Sequence, residues 1–207
     1  MMECDVIRTE RLRAGVWRGE DTTEFIRMNA DSRVMRYFPK RLSPEESVEF
    51  LGRIKREFAV YGYGLFAVRE RTGGHFVGFV GLHRFDFDAD FAPGVEIGWR
   101  LLPEYWGQGY APEMAAACLA YARDTLHLKK VFSFTAVQNR PSERVMQKLG
   151  MCRVKEFDHP AVPAGHPLSR HVLYVMEFRV KVATVRQGRE FLPCRFDGRQ
   201  GVECPAF

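Results

Sequence analysis

A short segment with two glycines contains the residue types that bind phosphate groups. It joins an apolar strand pattern at residues 94–102 to an apolar-periodic helix pattern at residues 112–125. Glycine lets a ligand approach the backbone closely, and a helix N-terminus presents unpaired N–H groups at a positive dipole end. Such amides bind phosphate, although the same glycine spacing also occurs in ordinary turns. Pro112 suits the first helical position, where a missing N–H costs nothing. The loop consists of Trp106, Gly107, Gln108, Gly109, Tyr110 and Ala111.

A second strand–helix junction follows, and it favours a binding loop over an ordinary turn at the two glycines. The strand pattern at residues 130–137 runs into Gln138-Asn139-Arg140-Pro141-Ser142, and the helix pattern ends in Leu149-Gly150-Met151. The order of strand, glycine loop, helix, strand and Asn-x-x-Ser helix resembles the GNAT superfamily of N-acetyltransferases. The opening Thr9-Glu10-Arg11-Leu12 is similar to the RimJ/RimL branch, which includes ribosomal-protein-alanine N-acetyltransferases. The resemblance covers residues 6–180.

The resemblance implies an enzyme that transfers an acetyl group from acetyl-CoA to a primary amine, such as a protein or peptide N-terminal α-amine. It also implies that the loop amides hold the pyrophosphate, and that a backbone N–H at Leu101 or Leu102 faces the thioester oxygen. Asn139 would contact the cofactor arm or cap the following helix, and the two roles are compatible. Trp106 replaces a polar residue of the family pattern, but the amides carry the binding. The resemblance is also compatible with a homodimer.

Glu96 is the candidate general base, because a carboxylate within a sheet is costly unless it is paired or lies in a cleft. Alternatively, Glu96 forms an ion pair with Arg100, which lies on the same face of the strand, or a chain of water molecules carries the proton instead. Ser142 would hydrogen-bond near the departing thiolate or only at the helix end. Arg144 is a candidate for the adenosine phosphate, although a solvated helix face explains it better. His83 is a weaker site candidate.

The acceptor is constrained by how easily its amine loses a proton. An α-amine with a pKa of about 7.7–8.0 is roughly a tenth neutral at pH 7, whereas a lysine near 10.4 is about one part in two thousand neutral. A single carboxylate or a water relay therefore favours an α-amine. A small-molecule amine remains an alternative, and the acidic, aromatic loop at residues 85–91 would suit a cationic acceptor.

Two further functions are alternatives. A non-catalytic acyl-CoA-binding module would have the same fold, but Glu96 together with the glycine loop and Asn139 favours the enzyme. A dinucleotide-binding domain would need a third glycine three residues after Gly109, where Pro112 stands.

These residues require a particular set of elements. Strand patterns at residues 5–16, 65–70, 76–85, 94–102, 130–137 and 171–180, with one more after residue 150, alternate with four helix patterns. Asp21 is expected to cap the first helix, through Ala30, and Ser43-Pro44-Glu45-Glu46 has the pattern of a helix start. We therefore expect an α/β (α+β) fold with a GNAT-like mixed, twisted sheet of about seven strands flanked by about four helices. The resemblance implies a V-shaped opening between strands 94–102 and 130–137.

The overall composition agrees with one soluble domain. The chain has 207 residues, 46% hydrophobic and 28% charged, which is ordinary for a globular protein. Residues 1–180 are expected to form a single domain, and residues 181–207 a tail of unknown role. Residues 1–5 lack the pattern of a signal peptide, and we expect a cytoplasmic protein. A net charge of +5 without a basic block argues against dedicated nucleic-acid binding, and no membrane association is expected. Five scattered cysteines without a Cys-x-x-Cys pair indicate neither a metal site nor a disulfide framework.

Overall fold

The computed structural model describes residues 5–178 as one sheet covered by helices. The tail expected at residues 181–207 lies outside the described residues. The strands are β1 (Asp5–Arg8), β2 (Leu12–Gly15), β3 (Leu65–Glu70), β4 (Phe76–Phe85), β5 (Gly94–Leu101), β6 (Lys130–Ala136), β7 (Cys152–Asp158) and β8 (Arg170–Glu177). The α-helices are α1 (Asp21–Ala30), α2 (Pro44–Tyr61), α3 (Tyr110–Asp124) and α4 (Arg140–Lys148).

The sheet has the spatial order β1-β2-β3-β4-β5-β6-β8-β7. All neighbours are antiparallel except β5 and β6, which are parallel and share one pair of facing residues, Glu96 and Phe132. By contrast, β4 and β5 pair along eight residues. The parallel strands therefore separate soon after they meet, and they form the V-shaped opening that the family resemblance implied.

The sheet has eight strands rather than seven because the first expected strand, residues 5–16, folds back on itself. The Thr9 N–H donates to the Leu12 carbonyl at 2.9 Å, which closes a turn between β1 and β2. The remaining strand patterns of the sequence correspond to strands in the structure. The mixed α/β architecture is confirmed.

Of the two predicted helix caps, the Ser43 cap is confirmed and the Asp21 cap is wrong. Ser43 caps α2 in a capping box with Glu46, as expected, and Gly62 ends the helix at φ +74°. Asp21 does not cap α1, because it is the first helical residue and its carboxylate accepts the Arg18 N–H at 2.6 Å. The same carboxylate also forms a buried ion pair with Arg69 on β3.

Hydrophobic residues fill both faces of the sheet. One core packs α3 against β5 residues Val95, Ile97 and Leu101. The other packs α1 and α2 against residues of β3 and β4 that include Ala67 and Phe79. Because strand side chains alternate between faces, Glu96, Gly98 and Arg100 lie on the α1–α2 face. In the described part of the chain no helix is both long and apolar enough to cross a bilayer.

Candidate active site

A cleft of about 920 Å³ occupies the opening between β5 and β6. Its volume falls in the range of small-molecule and cofactor sites. One wall comes from β5 and the glycine loop, and the other from β6, the start of α4 and the loop at residues 159–168. The predicted site residues that line it are Glu96, Leu101, Trp106, Gly107, Gly109, Tyr110, Ala111, Asn139, Ser142 and Arg144. The structure thus brings together in one cleft residues separated by up to 48 positions in the sequence.

The glycine loop forms an open cradle at the N-terminus of α3. Gly107 and Gly109 have φ values of +74° and +79°, a region that side chains disfavour. A Cβ at Gly107 would have no neighbour within 4 Å, so the space above the loop backbone is free for a ligand. The helix begins at Tyr110, so Pro112 is its third residue and not its first. Proline is tolerated there because the N–H groups of the first helical turn have no intrahelical acceptor. A cradle of this kind, with free amides at a helix N-terminus, can hold a phosphate or pyrophosphate group.

A cluster of polar contacts from the N-terminal hairpin holds this loop, and sequence reasoning missed it. Glu113, in the first turn of α3, accepts hydrogen bonds from the Thr9 hydroxyl at 2.6 Å and from Arg11 Nε at 2.6 Å. Arg11 also donates to the Gln108 carbonyl at 2.9 Å and lies 4.6 Å from the centre of the Tyr110 ring. The Thr-Glu-Arg-Leu opening therefore positions the loop. The opening was visible in the sequence, but its contact with residues about a hundred positions away was not.

Two of the predicted cofactor-binding residues lie away from the cleft lining. The Leu102 N–H donates to the Val77 carbonyl at 3.0 Å, so it cannot also face a thioester oxygen. Backbone N–H groups alternate sides along a strand, so the Leu101 N–H points toward the cleft instead. The Gln108 side chain donates to the Glu104 carbonyl at 2.8 Å, and it does not line the cleft.

The α4 side of the cleft is organised by Asn139. Its side-chain oxygen accepts the Ser142 N–H at 3.4 Å and caps α4, while its amide donates to the Thr135 hydroxyl at 2.8 Å. Asn139 is therefore fixed from both sides at the cleft wall. Ser142 is half-buried on the wall and Arg144 is exposed beside it.

Glu96 pairs with a histidine of the neighbouring strand and not with Arg100. His83 on β4 stands directly opposite Glu96, and His83 Nε2 lies 2.8 Å from Glu96 Oε2. Burial of the imidazole opposes its charge, but the hydrogen bond to Glu96 and the charges of Glu96 and Glu57 raise the pKa of His83 above 6.5. The two side chains thus form a carboxylate–imidazole pair in which the imidazole holds its proton more tightly than a free histidine does. The Glu96 side chain is 12% exposed at the cleft wall.

The opposite wall of the cleft carries two uncharged imidazoles. Burial and the neighbouring His171 lower the pKa of His159 to about 4, and burial lowers the pKa of His171 as well. The acidic loop at residues 85–91 is not part of the cleft lining. Phe87 packs behind the wall against Phe134 and His159, and Asp90 pairs with Lys155 at 2.6 Å. Within residues 5–178 no cluster of three His, Cys, Asp or Glu side chains could hold a metal ion.

Comparison with known proteins agrees with this geometry. Residues 11–152 match the family described as Acetyltransferase (GNAT) domain. The "Uncharacterized N-acetyltransferase YnaD" of Bacillus subtilis (strain 168) is 30% identical over 161 residues, 77% of this chain and 89% of the relative. A GNAT-family acetyltransferase structure from Bacillus anthracis is 28% identical with a TM-score of 0.69, over 83% of this chain and 97% of the other.

A spermidine N-acetyltransferase from Vibrio cholerae, solved with CoA and spermine, has a TM-score of 0.66 over 82% of this chain and 96% of the other. At 18% identity it supports the fold alone. The family match over residues 11–152 and the Bacillus relatives identify an acetyltransferase domain and not a dinucleotide-binding domain. The chain therefore belongs to the GNAT family and is an acetyl-CoA-dependent N-acetyltransferase.

Proposed function

We propose that this enzyme acetylates the N-terminal α-amine of a protein or peptide, as a RimJ/RimL-like N-acetyltransferase. The observation that carries the proposal is the hydrogen-bonded Glu96–His83 pair, at 2.8 Å, in the same cleft as the glycine cradle. A carboxylate hydrogen-bonded to an imidazole whose pKa is raised above 6.5 suits an amine that loses its proton easily. An α-amine needs to shift by only about one pH unit to be deprotonated at pH 7, whereas a lysine needs more than three.

Each of the named cleft residues has its own role in the proposed reaction. Acetyl-CoA supplies the acetyl group as a thioester, held through its pyrophosphate by the amides of residues 106–111. Glu96, supported by His83, accepts the proton of the acceptor amine as its nitrogen bonds to the carbonyl carbon. The Leu101 N–H donates to the carbonyl oxygen. The carbon–sulfur bond breaks, and the Ser142 hydroxyl donates to the departing CoA thiolate. Asn139 positions the cofactor arm, and Arg144 contacts the adenosine phosphate.

A peptide panel with acetyl-CoA and the full chain tests the acceptor. One peptide has a free N-terminus and no lysine, and its partner has a blocked N-terminus and one lysine. Spermidine and an aminoglycoside complete the panel as small-molecule amines. Thiol release measures the rate, and fragmentation mass spectrometry locates the acetyl group. We expect acetylation of the first peptide only. Turnover confined to lysine or to the small amines would refute the α-amine assignment while leaving the acetyltransferase intact.

A further inference from the structure

Arg100 is a charged side chain on the same face of β5 as Glu96, at the wall of the cleft. Its Nη1 donates to the Asn29 side-chain oxygen at 2.6 Å. The guanidinium carbon lies 4.1 Å from the centre of the Phe38 ring and 5.3 Å from that of Phe79. The Asn29 side chain is itself fully buried and donates to the Ser47 hydroxyl at 3.3 Å. Arg100 is therefore held in one orientation by neutral groups.

The charge of Arg100 has no counter-ion in the described part of the chain. No carboxylate of residues 5–178 forms an ion pair with it, and its buried Nε has no hydrogen-bond acceptor among these residues. Burial lowers the pKa of Arg100 to about 10, so the group stays protonated at neutral pH. Withdrawing part of a guanidinium from water without an anion is costly, and an anionic group of a ligand in the cleft would offset that cost.

The strand between the two charged residues is open to a substrate. Gly98 lies between Glu96 and Arg100 on the same face, and a Cβ at Gly98 would have no neighbour within 4 Å. At about 3.3 Å per residue, the Cα atoms of Glu96 and Arg100 are roughly 13 Å apart. A short peptide that runs across Gly98 could therefore place its amine at Glu96 and an anionic group at Arg100.

A second arginine strengthens the positive charge at this end of the cleft. Arg36 lines the same cleft, and its guanidinium carbon lies 5.5 Å from the centre of the Tyr37 ring. Arg33, also in the lining, is neutralised by Asp31, to which its Nη2 donates at 2.6 Å. The arrangement opposes a polyamine, whose second cation would face Arg100.

We propose that Arg100 binds a carboxylate of the acceptor, so that the preferred acceptor carries both a reactive amine and an anionic group one to three residues away. This inference rests on the proposed function, because it takes the acceptor amine to react at Glu96. A guanidinium binds a carboxylate through parallel N–H donors, and the Asn29 oxygen occupies only one N–H of Arg100 Nη1. The carboxylate comes from a peptide C-terminus or from an acidic side chain.

Two matched peptide pairs on the unaltered enzyme distinguish these sources. Ala-Ala-Ala is compared with its C-terminal amide, and Ala-Glu-Ala amide with Ala-Gln-Ala amide. In at least one pair we expect the carboxylate form to have a kcat/KM about tenfold to a hundredfold higher, as for a hydrogen bond to a charged group. Equal values within both pairs would overturn the inference, although acetyl transfer would stand.

Variants then assign the effect to Arg100. Arg100→Met should remove the preference for the carboxylate, and Arg100→Lys should restore part of it. Arg53→Met is the matched control, because Arg53 is an exposed guanidinium on α2 that pairs with Glu49. Thermal unfolding and acetyl-CoA binding verify that each variant folds. If Arg100→Met does not fold, the peptide pairs on the unaltered enzyme decide.

Failure of the proposed function gives a different pattern. If no peptide is acetylated, calorimetric titration of the same four peptides in the presence of CoA measures binding without turnover. Preferential binding of a carboxylate form would keep the inference about Arg100 while the reaction assignment falls. Equal or undetectable binding of all four would overturn the inference.

Discussion

Replacing Glu96 with glutamine tests the assignment of the base most directly. Glutamine keeps the shape of the side chain and can still accept a hydrogen bond from His83, but it cannot take up a proton. General-base catalysis contributes about a hundredfold to ten-thousandfold. In the unaltered enzyme His83 lies 2.8 Å from Glu96. In the variant His83 would act as a poorer base, so we expect a loss at the lower end of this range. The predicted fall in kcat is about a hundredfold, or about 2.7 kcal/mol in the barrier.

The pH dependence should change together with the rate. The reaction needs the Glu96–His83 pair unprotonated, so kcat/KM should fall as the pH drops through the raised pKa of His83, which lies above 6.5. In the Glu96→Gln variant the hydrogen bond to the carboxylate and its charge are lost, while burial still opposes the imidazolium. The acid limb should therefore move to lower pH. The acceptor titrates identically in both enzymes and does not contribute to the difference.

Thiol release from acetyl-CoA with a single α-amine peptide, followed from pH 5.5 to 9, would measure both effects. Calorimetric titration with acetyl-CoA should give the same affinity for both proteins, which shows that the cofactor site is intact. Glu49→Gln is the control, since Glu49 is an exposed carboxylate on α2. A Glu96→Gln enzyme within threefold of the unaltered rate, with an unmoved acid limb, would refute the base assignment and leave a water relay.

Three further changes probe the loop and the core. Gly107→Ala adds a Cβ at φ +74° and should cost about 1–2 kcal/mol of folding stability; because that Cβ enters the cradle, calorimetry should show acetyl-CoA binding at least about tenfold weaker. Glu113→Gln removes the charge that holds Arg11, so the KM for acetyl-CoA should rise several-fold in steady-state kinetics with kcat nearly constant. Asp21→Asn leaves Arg69, which is 2% exposed, without its carboxylate, and urea unfolding should show a loss of about 3–5 kcal/mol.

Elements whose ends are set by local chemistry could be predicted from the sequence. The α2 helix begins where Ser43 and Glu46 satisfy each other's backbone N–H groups, and it ends where Gly62 adopts a positive φ. Both devices involve residues within one turn of each other, so their signal survives in a short stretch of sequence. The glycine loop was predictable for the same reason.

Features set by distant contacts could not be predicted. Asp21 has the residue type of a helix cap, yet its carboxylate is drawn to Arg69, 48 residues away, and the helix begins at Asp21 itself. The first strand pattern has no glycine or proline at residues 9–12, where the chain folds back. That turn is stabilised instead by the Thr9 side chain, which contacts both Leu12 and Glu113.

In the candidate site, the strand face of each residue could be predicted, but its contact partner could not. The alternation of β5 correctly predicted that Glu96 and Arg100 share a face, because a strand has a period of two. The alternation could not predict their partners. The register of β4 against β5 places His83 opposite Glu96, and the packing of α1 places Asn29 beside Arg100.

The strand β5 explains how one short segment can serve both stability and chemistry. Val95, Ile97 and Leu101 bury their side chains in the α3 core, which fixes the backbone through non-directional packing. The intervening residues are then free to differ in charge and size. On that other face the Glu96 carboxylate and the Arg100 guanidinium lie on either side of Gly98, and β5 pairs with β6 at Glu96 alone. The backbone of β5, which is fixed by the core, thus sets the distance between the two charged groups. Substitutions on this face can therefore change the preferred acceptor without repacking the core.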